Sequence, residues 1–397
     1  MNVAIMGFGT IGSGVYKVLT TNAKVIAKRV GFNLDVKYVL DRREFPGEPW
    51  EKLVVNDYKI IAEDPDVDIV VETMGGVEPA YTFVKAMLEA GKHVTTSNKA
   101  LVADKGADLI KTAREHNVNF LFEASVGGGI PIIRPLQECL TGDVIEEISG
   151  IVNGTTNYIM TKMTEDGSDF ADVLKEAQEL GYAEKDPTAD IEGHDAQRKI
   201  AILTSLICGQ QVEYTDIPTE GISKITADDI KYANAVNRKI KLLATSTATG
   251  DTYVARVAPY MLPPEHPLYA VDDVFNAIFV HGNMLGDGMF YGSGAGSLPT
   301  ASAVVGDIVE MARHKDENIP LEWRPQKLEL ADASVVKSAF FVRTKSGKDD
   351  VKKAFGDVQF VEGIVDGEIG FVTDVMSEAD YNTKSSGLDV IKMIRVR

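Results

Sequence analysis

At 397 residues the chain has room for two or three domains. Its 44% hydrophobic and 25% charged residues are those of an ordinary globular protein, without repeats or low-complexity tracts. A net charge of −18 with no basic cluster argues against nucleic acid or an anionic membrane as partner, so phosphate would have to be held by local geometry. The two cysteines, Cys139 and Cys208, fit free thiols in a reducing compartment. No apolar run approaches the ~20 residues of a membrane helix. Residues 1–5 enter a strand without a signal peptide, and the expected location is cytoplasmic.

In chain order, residues 2–6 form a short apolar run ending at Gly7, which predicts a buried parallel strand. Ile11, Val15, Val18 and Leu19 recur at helical spacing after it. Further strands are expected at 36–40, 68–72, 93–96 and 119–123, with a helix ending near Gly91 and another over 107–116. Strands alternating with helices predict a Rossmann-type doubly wound parallel sheet, an α/β fold, over residues 1–127. From Gly127 the rhythm changes. Helices over 132–140, 158–165, 170–180 and 195–208, with strands at 147–152, 254–260 and 274–280, predict an α+β catalytic and dimerisation domain over 128–321. Its helix 301–313 is expected to return to the first domain. Residues 322–330 read as a linker. The order β-α-β-β-α-β over 335–397 predicts a small ferredoxin-like C-terminal domain.

Gly7-Phe8-Gly9-Thr10-Ile11-Gly12 follows a strand and opens a helix, as a dinucleotide-binding turn requires. Gly7 permits the tight turn, Gly9 lets the backbone approach a pyrophosphate, and Gly12 lets helix and strand pack closely. Thr10 and Ile11 share that turn, and Thr73 follows the strand at 68–72; all three are counted as cofactor contacts. An acid after the second strand would bind a ribose 2′-hydroxyl, whereas an arginine would bind a 2′-phosphate. The chain has Asp41 and then Arg42 and Arg43, and the reading favours NADP over NAD through Arg42. Lys99 follows the strand at 93–96, where such sheets bind ligands.

The richest stretch runs from Gly181 to Lys199. It carries Glu184, Asp186, Asp190 and Asp195 ahead of Lys199, between a glycine turn and an apolar helix. Asp195 and Lys199 are i and i+4 and share a helix face. A surface ion pair would use the same spacing. The upstream acids favour a protonated lysine that donates to a carbonyl oxygen as hydride arrives. In Glu123-Ala124-Ser125-Val126-Gly127-Gly128-Gly129-Ile130, one carboxylate and turn carbonyls have the chemistry to cage a hard cation, although by itself the pattern favours a plain turn. Met289, Phe290 and Tyr291 read as core.

These motifs, with Asn153-Gly154-Thr155-Thr156-Asn157-Tyr158 and residues 294–300, resemble homoserine dehydrogenase over residues 1–320. The resemblance implies reversible, NAD(P)H-dependent reduction of L-aspartate 4-semialdehyde to L-homoserine in threonine and methionine synthesis. It casts Lys199 as the proton donor and Asp190 as an acid orienting it. Glu184, Asp195 and Gly181 would lie at the substrate, Lys99 at substrate and nicotinamide, and Gly294 and Gly296 near substrate or cofactor. It further implies a sodium site at Glu123 with the carbonyls of Val126, Gly128 and Ile130, and a homodimer or higher homo-oligomer. The C-terminal unit resembles an ACT domain, but Lys345-Ser346-Gly347-Lys348 replaces the turn expected there. Two alternatives are an aspartate-semialdehyde dehydrogenase, which needs an activated cysteine, and a non-catalytic sensor of dinucleotide and amino acid.

Overall fold

A computed structural model describes residues 1–397. Contacts divide the chain into two units, one of residues 1–144, 201–214 and 290–328, the other of 145–200, 215–289 and 329–397.

In the first unit, six short apolar strands lie side by side: β1 (Asn2–Met6), β2 (Asp35–Leu40), β3 (Val54–Val55), β4 (Val67–Glu72), β5 (His93–Thr96) and β6 (Phe120–Leu121). All pair in parallel, in the order β3-β2-β1-β4-β5-β6. This doubly wound order reverses direction between β1 and β4, where such sheets open a ligand crevice. Val3, Ile5, Val39, Ile69 and Val71 form its core with Val15 and Leu19 of helix Thr10–Thr21. Ala301, Val304 and Ile308 of helix Ser297–Arg313 join that cluster. Gly14 permits this packing, because a Cβ there would lie 2.9 Å from the Ser297 carbonyl oxygen.

Several local expectations change. The helix expected over 107–116 begins at Lys99 and runs to Glu115, through Gly106. The helix expected over 132–140 shrinks to one wide π-type turn, Pro135–Cys139. The residues read as a linker instead bury Trp323, whose indole N–H donates to Gln211 Oε1 at 2.9 Å. Strand β8 (Gln210–Gln211) pairs there with β13 (Arg324–Lys327).

The larger sheet contains β7 (Ile145–Ile151), β9 (Lys239–Thr249), β10 (Thr252–Leu262), β11 (Phe275–Gly282) and β12 (Gly286–Ser293). It continues through β14 (Lys337–Thr344), β15 (Gln359–Val361), β16 (Ile369–Val372), β17 (Met376–Ser377) and β18 (Val390–Val396). The order is β12-β11-β7-β9-β10-β18-β14-β16-β15, with β17 on β14. Strands β9 and β10 form an eleven-pair hairpin of which only 254–260 was expected. Met289 and Tyr291 are not core residues. They lie on the edge strand β12, 46% and 54% exposed, because alternate residues of an edge strand face water.

The C-terminal segment has the expected β-α-β-β-α-β order, and its strands lie β18-β14-β16-β15. Phe340, Val342, Phe355, Phe371 and Tyr381 form its own core. It is nonetheless built into the larger sheet, because β18 pairs in parallel with β10 at Tyr260–Arg395 and Met261–Val396.

Candidate active site

The dinucleotide turn is held by hydrogen bonds from three strand ends. Gly7 has φ +89° and donates to the Leu40 carbonyl at 2.9 Å. Thr73 Oγ1 donates to the Gly7 carbonyl at 2.7 Å. A Cβ on Gly12 would lie 2.0 Å from the Gly7 oxygen, whereas one on Gly9 would meet nothing within 4 Å. Gly9 therefore faces the open space that a pyrophosphate needs, at the start of helix Thr10–Thr21. Gly7, Gly9, Asp41, Arg42 and Thr73 line a cavity of ≈ 570 Å³ with Met74, Pro79 and Phe83 as its apolar wall.

The acid and the arginines after β2 have different tasks. Asp41 accepts from the Phe8 amide at 2.9 Å and from Arg43 Nε and Nη2 at 3.0 and 2.8 Å. The Arg43 guanidinium, with these amide bonds, holds the Asp41 carboxyl well below the usual carboxylate range. Asp41 is thus committed to Arg43 and the glycine turn, while Arg42 is exposed at the cavity.

Glu72, which sequence reasoning missed, ends β4 fully buried. Its carboxylate accepts from the Met74 amide at 2.6 Å and the Thr96 hydroxyl at 2.5 Å, shaping the loop that lines the cavity. Burial pushes its pKa up. Asn98 accepts from the Leu101 amide and caps the helix that Lys99 opens.

In the second unit, Lys199 is only 7% exposed. Its ammonium donates to Asp195 Oδ2 at 2.7 Å and to the Val152 carbonyl at 2.6 Å. Asn153 Nδ2 donates to Asp190 Oδ1 at 2.7 Å and Asp195 Oδ2 at 2.9 Å. A surface ion pair would be solvated and nearly worthless, but this one is buried and braced. Asn153 is the second residue that sequence reasoning left without a role. Its Oδ1 caps helix Gly154–Asp166 by accepting from the Thr156 amide at 2.9 Å, and N-cap preference at the head of that motif was the available signal. The cluster can hold a protonated amine and release its proton to an oxygen. Glu184 is exposed nearby in sequence, after Gly181, whose φ of +77° follows the end of helix Phe170–Glu179.

The two glycine-rich stretches come together within the first unit. Gly129 donates to the Ser293 carbonyl at 3.1 Å, and a Cβ on Gly128 would lie 2.3 Å from the Gly294 oxygen. Gly296, at φ +114°, is the N-cap of helix Ser297–Arg313. Glu123 is buried, and its carboxylate accepts from the amides of Ile132, Ile133 and Arg134 at 2.6–2.8 Å. The side chain expected to face a cation is thus spent on the start of the following turn. The chain brings together no cluster of three or more His, Cys, Asp or Glu suited to a metal.

The sequence model for the homoserine dehydrogenase NAD-binding domain matches residues 7–123, and that for homoserine dehydrogenase matches residues 131–309. The chain belongs to the homoserine dehydrogenase family. The homoserine dehydrogenase of Corynebacterium glutamicum is 47% identical over 322 residues, covering 79% of this chain and 72% of that protein. The structure of the homoserine dehydrogenase from Thiobacillus denitrificans is 34% identical, with a TM-score of 0.91 over 100% of this chain and 98% of that one. A hyperthermophilic archaeal homoserine dehydrogenase in complex with NADPH is 28% identical, with a TM-score of 0.69 over 81% of this chain and 99% of that one. As a family member the chain is an NAD(P)-dependent oxidoreductase acting on a CH–OH group. Neither alternative is supported. Cys139 is exposed on the π-type turn, and burial raises the pKa of the half-buried Cys208, the opposite of an activated thiol.

Proposed function

We propose that the chain interconverts L-homoserine and L-aspartate 4-semialdehyde with NADP as its preferred cofactor. The observation that carries the cofactor choice is the engagement of Asp41 by Arg43 and Phe8, which leaves Arg42 to meet a 2′-phosphate. The bound dinucleotide supplies the hydride. Lys199 stabilises the developing alkoxide and delivers the proton, with Asp190, Asp195 and Asn153 keeping the amine charged and aimed. Lys99 assists from the end of β5, and Glu184 meets the substrate ammonium. Gly181 gives the substrate loop its turn. Thr10, Ile11, Thr73, Gly294 and Gly296 complete the cofactor and substrate contacts.

A sodium ion would be held by the carbonyls of Val126, Gly128 and Ile130, with Glu123 bracing that turn through its carboxylate. A homodimer is supported by β12, an outermost strand exposing Met289 and Tyr291. The C-terminal segment is read as ACT-like from its element order. No helix is long and apolar enough to cross a membrane, and the free thiols support a cytoplasmic setting.

The test is homoserine-dependent reduction of NADP and NAD followed at the nicotinamide band. A higher kcat/KM with NADP is expected. A preference for NAD would overturn the role given to Arg42, and no reduction of either would overturn the reaction.

A further inference from the structure

In the second unit, the segment 217–222 lies between the Lys199 cluster and β10. On one side it runs parallel to β10, with Thr219 bridged to Val257. The Val257 amide donates to the Pro218 carbonyl at 3.0 Å, and the Glu220 amide donates to the Val257 carbonyl at 2.8 Å. On the other side the Ile222 amide donates at 2.8 Å to the carbonyl of Ile191, the neighbour of Asp190. The Ile217 carbonyl accepts from Gln197 Nε2 at 2.9 Å, on the helix that carries Asp195 and Lys199. Glu220 pairs with the buried Arg395 of β18 at 2.7 Å. Ile217, Ile222 and Val257 are buried, so the segment is a strap and not a surface loop.

The strap and the loop after Asp190 touch backbone to backbone. A Cβ on Gly221 would lie 2.1 Å from the Ile191 carbonyl oxygen and 2.5 Å from Glu192 Cα. Gly193, at φ +82°, turns the chain into helix His194–Cys208, and a Cβ there would crowd Thr219 Cγ2 at 3.0 Å. Main-chain atoms cannot rotate aside as the end of a side chain can. Any side chain at 221 therefore drives strap and loop apart by about 1 Å before the overlap is relieved. The strap is pinned to β10, whereas Thr188 and Ala189 are exposed, so the loop is the side that yields. Asp190 Oδ1 accepts from Asn153 Nδ2 at 2.7 Å, and a displacement of that size takes the pair beyond hydrogen-bond geometry.

We propose that Gly221 is a positioning residue for the family reaction. Its missing side chain seats the backbone of Ile191 and Glu192 so that Asp190 meets Asn153, and through Asn153 the Asp195–Lys199 pair. The inference rests on the role given above to the Lys199 cluster. Asp190 itself sits on a helix of only four residues, Thr188–Ile191, too short to hold a carboxylate in place alone. The strap supplies the rigidity, because it is fixed to β10 along one edge and tied through Glu220 to β18.

The test is a double-mutant cycle on the full chain, with kcat and KM read from homoserine-dependent reduction of the preferred dinucleotide. Gly221→Ala should lower kcat roughly tenfold or more, the scale of a misplacement of about 1 Å, and leave the KM for the dinucleotide unchanged. In the Asn153→Ser background the bond to Asp190 is already gone, so the same change should lower kcat less than about twofold. Equal losses in both backgrounds would make Gly221 merely structural and overturn the proposal, and so would a near-normal kcat in Gly221→Ala. Should a Gly221 variant not fold, Glu220→Ala carries the same cycle, because it removes only the half-exposed tie to Arg395. There kcat should fall about threefold with Asn153 present, the scale of one such ion pair, and stay level in the Asn153→Ser background. No effect, or the same effect in both backgrounds, would again overturn the proposal. A normal kcat in Lys199→Ala would instead refute the role of the cluster itself, whatever the Gly221 variants do.

Discussion

The dinucleotide cradle and the Lys199 cluster solve opposite problems. The cradle is main chain shaped by absence: Gly7 takes a left-handed φ, Gly12 lets two backbone segments touch, and Gly9 leaves a void. The cluster is a knot of charged side chains, with Lys199, Asp195, Asp190 and Asn153 joined by bonds of 2.7–2.9 Å around a buried ammonium. A cradle of this kind fails when an atom is added, and a cluster fails when one is removed.

The largest effect should come from taking the ammonium out of the cluster. Lys199→Ala should lower kcat by ~10²- to 10⁴-fold, the usual worth of a positioned general acid. Its cofactor affinity, read by NADPH fluorescence, should be unchanged, and a near-normal kcat would remove Lys199 from the chemistry. Asn153→Ser comes next. Serine still caps helix Gly154–Asp166 but cannot span to Asp190 and Asp195, so kcat should drop roughly tenfold or more with the lost charge-assisted bonds, and the buried Asp195 carboxylate left short of a donor should lower stability by roughly 1–3 kcal/mol. Asn153→Ala should add a loss of ~1 kcal/mol of stability on losing the cap. A serine variant as active as the wild type would remove the bridge, and serine and alanine variants of equal stability would remove the cap.

Adding one methyl should split the cradle. Gly12→Ala should destabilise the free protein by roughly 1–3 kcal/mol, because its Cβ meets the Gly7 carbonyl. Gly9→Ala should leave the free protein's Tm unchanged and weaken only dinucleotide binding. Equal effects of the two on Tm would contradict the assignment of Gly9 to the ligand space. The smallest effect belongs to Arg42→Ala, expected to raise the KM for NADP about tenfold, the scale of a charged contact, with little change for NAD. Steady-state kinetics with both cofactors checks it.

What could be read in advance tracks how local each signal is. The glycine turn, β1 and helix Thr10–Thr21 depend on neighbours within a dozen residues and agree with the structure. The helix expected over 107–116 starts eight residues earlier, at Lys99, and runs through Gly106. The missing side chain of Gly106 makes room for Trp323, whose ring would be 3.2 Å from a Cβ. The expected helix over 132–140 was lost between Pro131 and Pro135, with its leading amides claimed by Glu123, a carboxylate nine or more residues upstream. Edge strand β12 was missed because Met289, Phe290 and Tyr291 read as core, whereas alternate side chains of that edge strand face water.

The sequence by itself determined that a strand–turn–helix would be able to hold a pyrophosphate, and that Asp195 and Lys199 would share a helix face. Both follow from backbone stereochemistry over a few residues. Only the tertiary structure decided that this ion pair is buried, because Val152 and Asn153, just past the end of β7 and more than forty residues away, reach it. It also decided that Asp41 serves Arg43 and the turn while Arg42 faces the cavity. A side chain's charge is written in the sequence, but which partner consumes it depends on what packing brings within 3 Å.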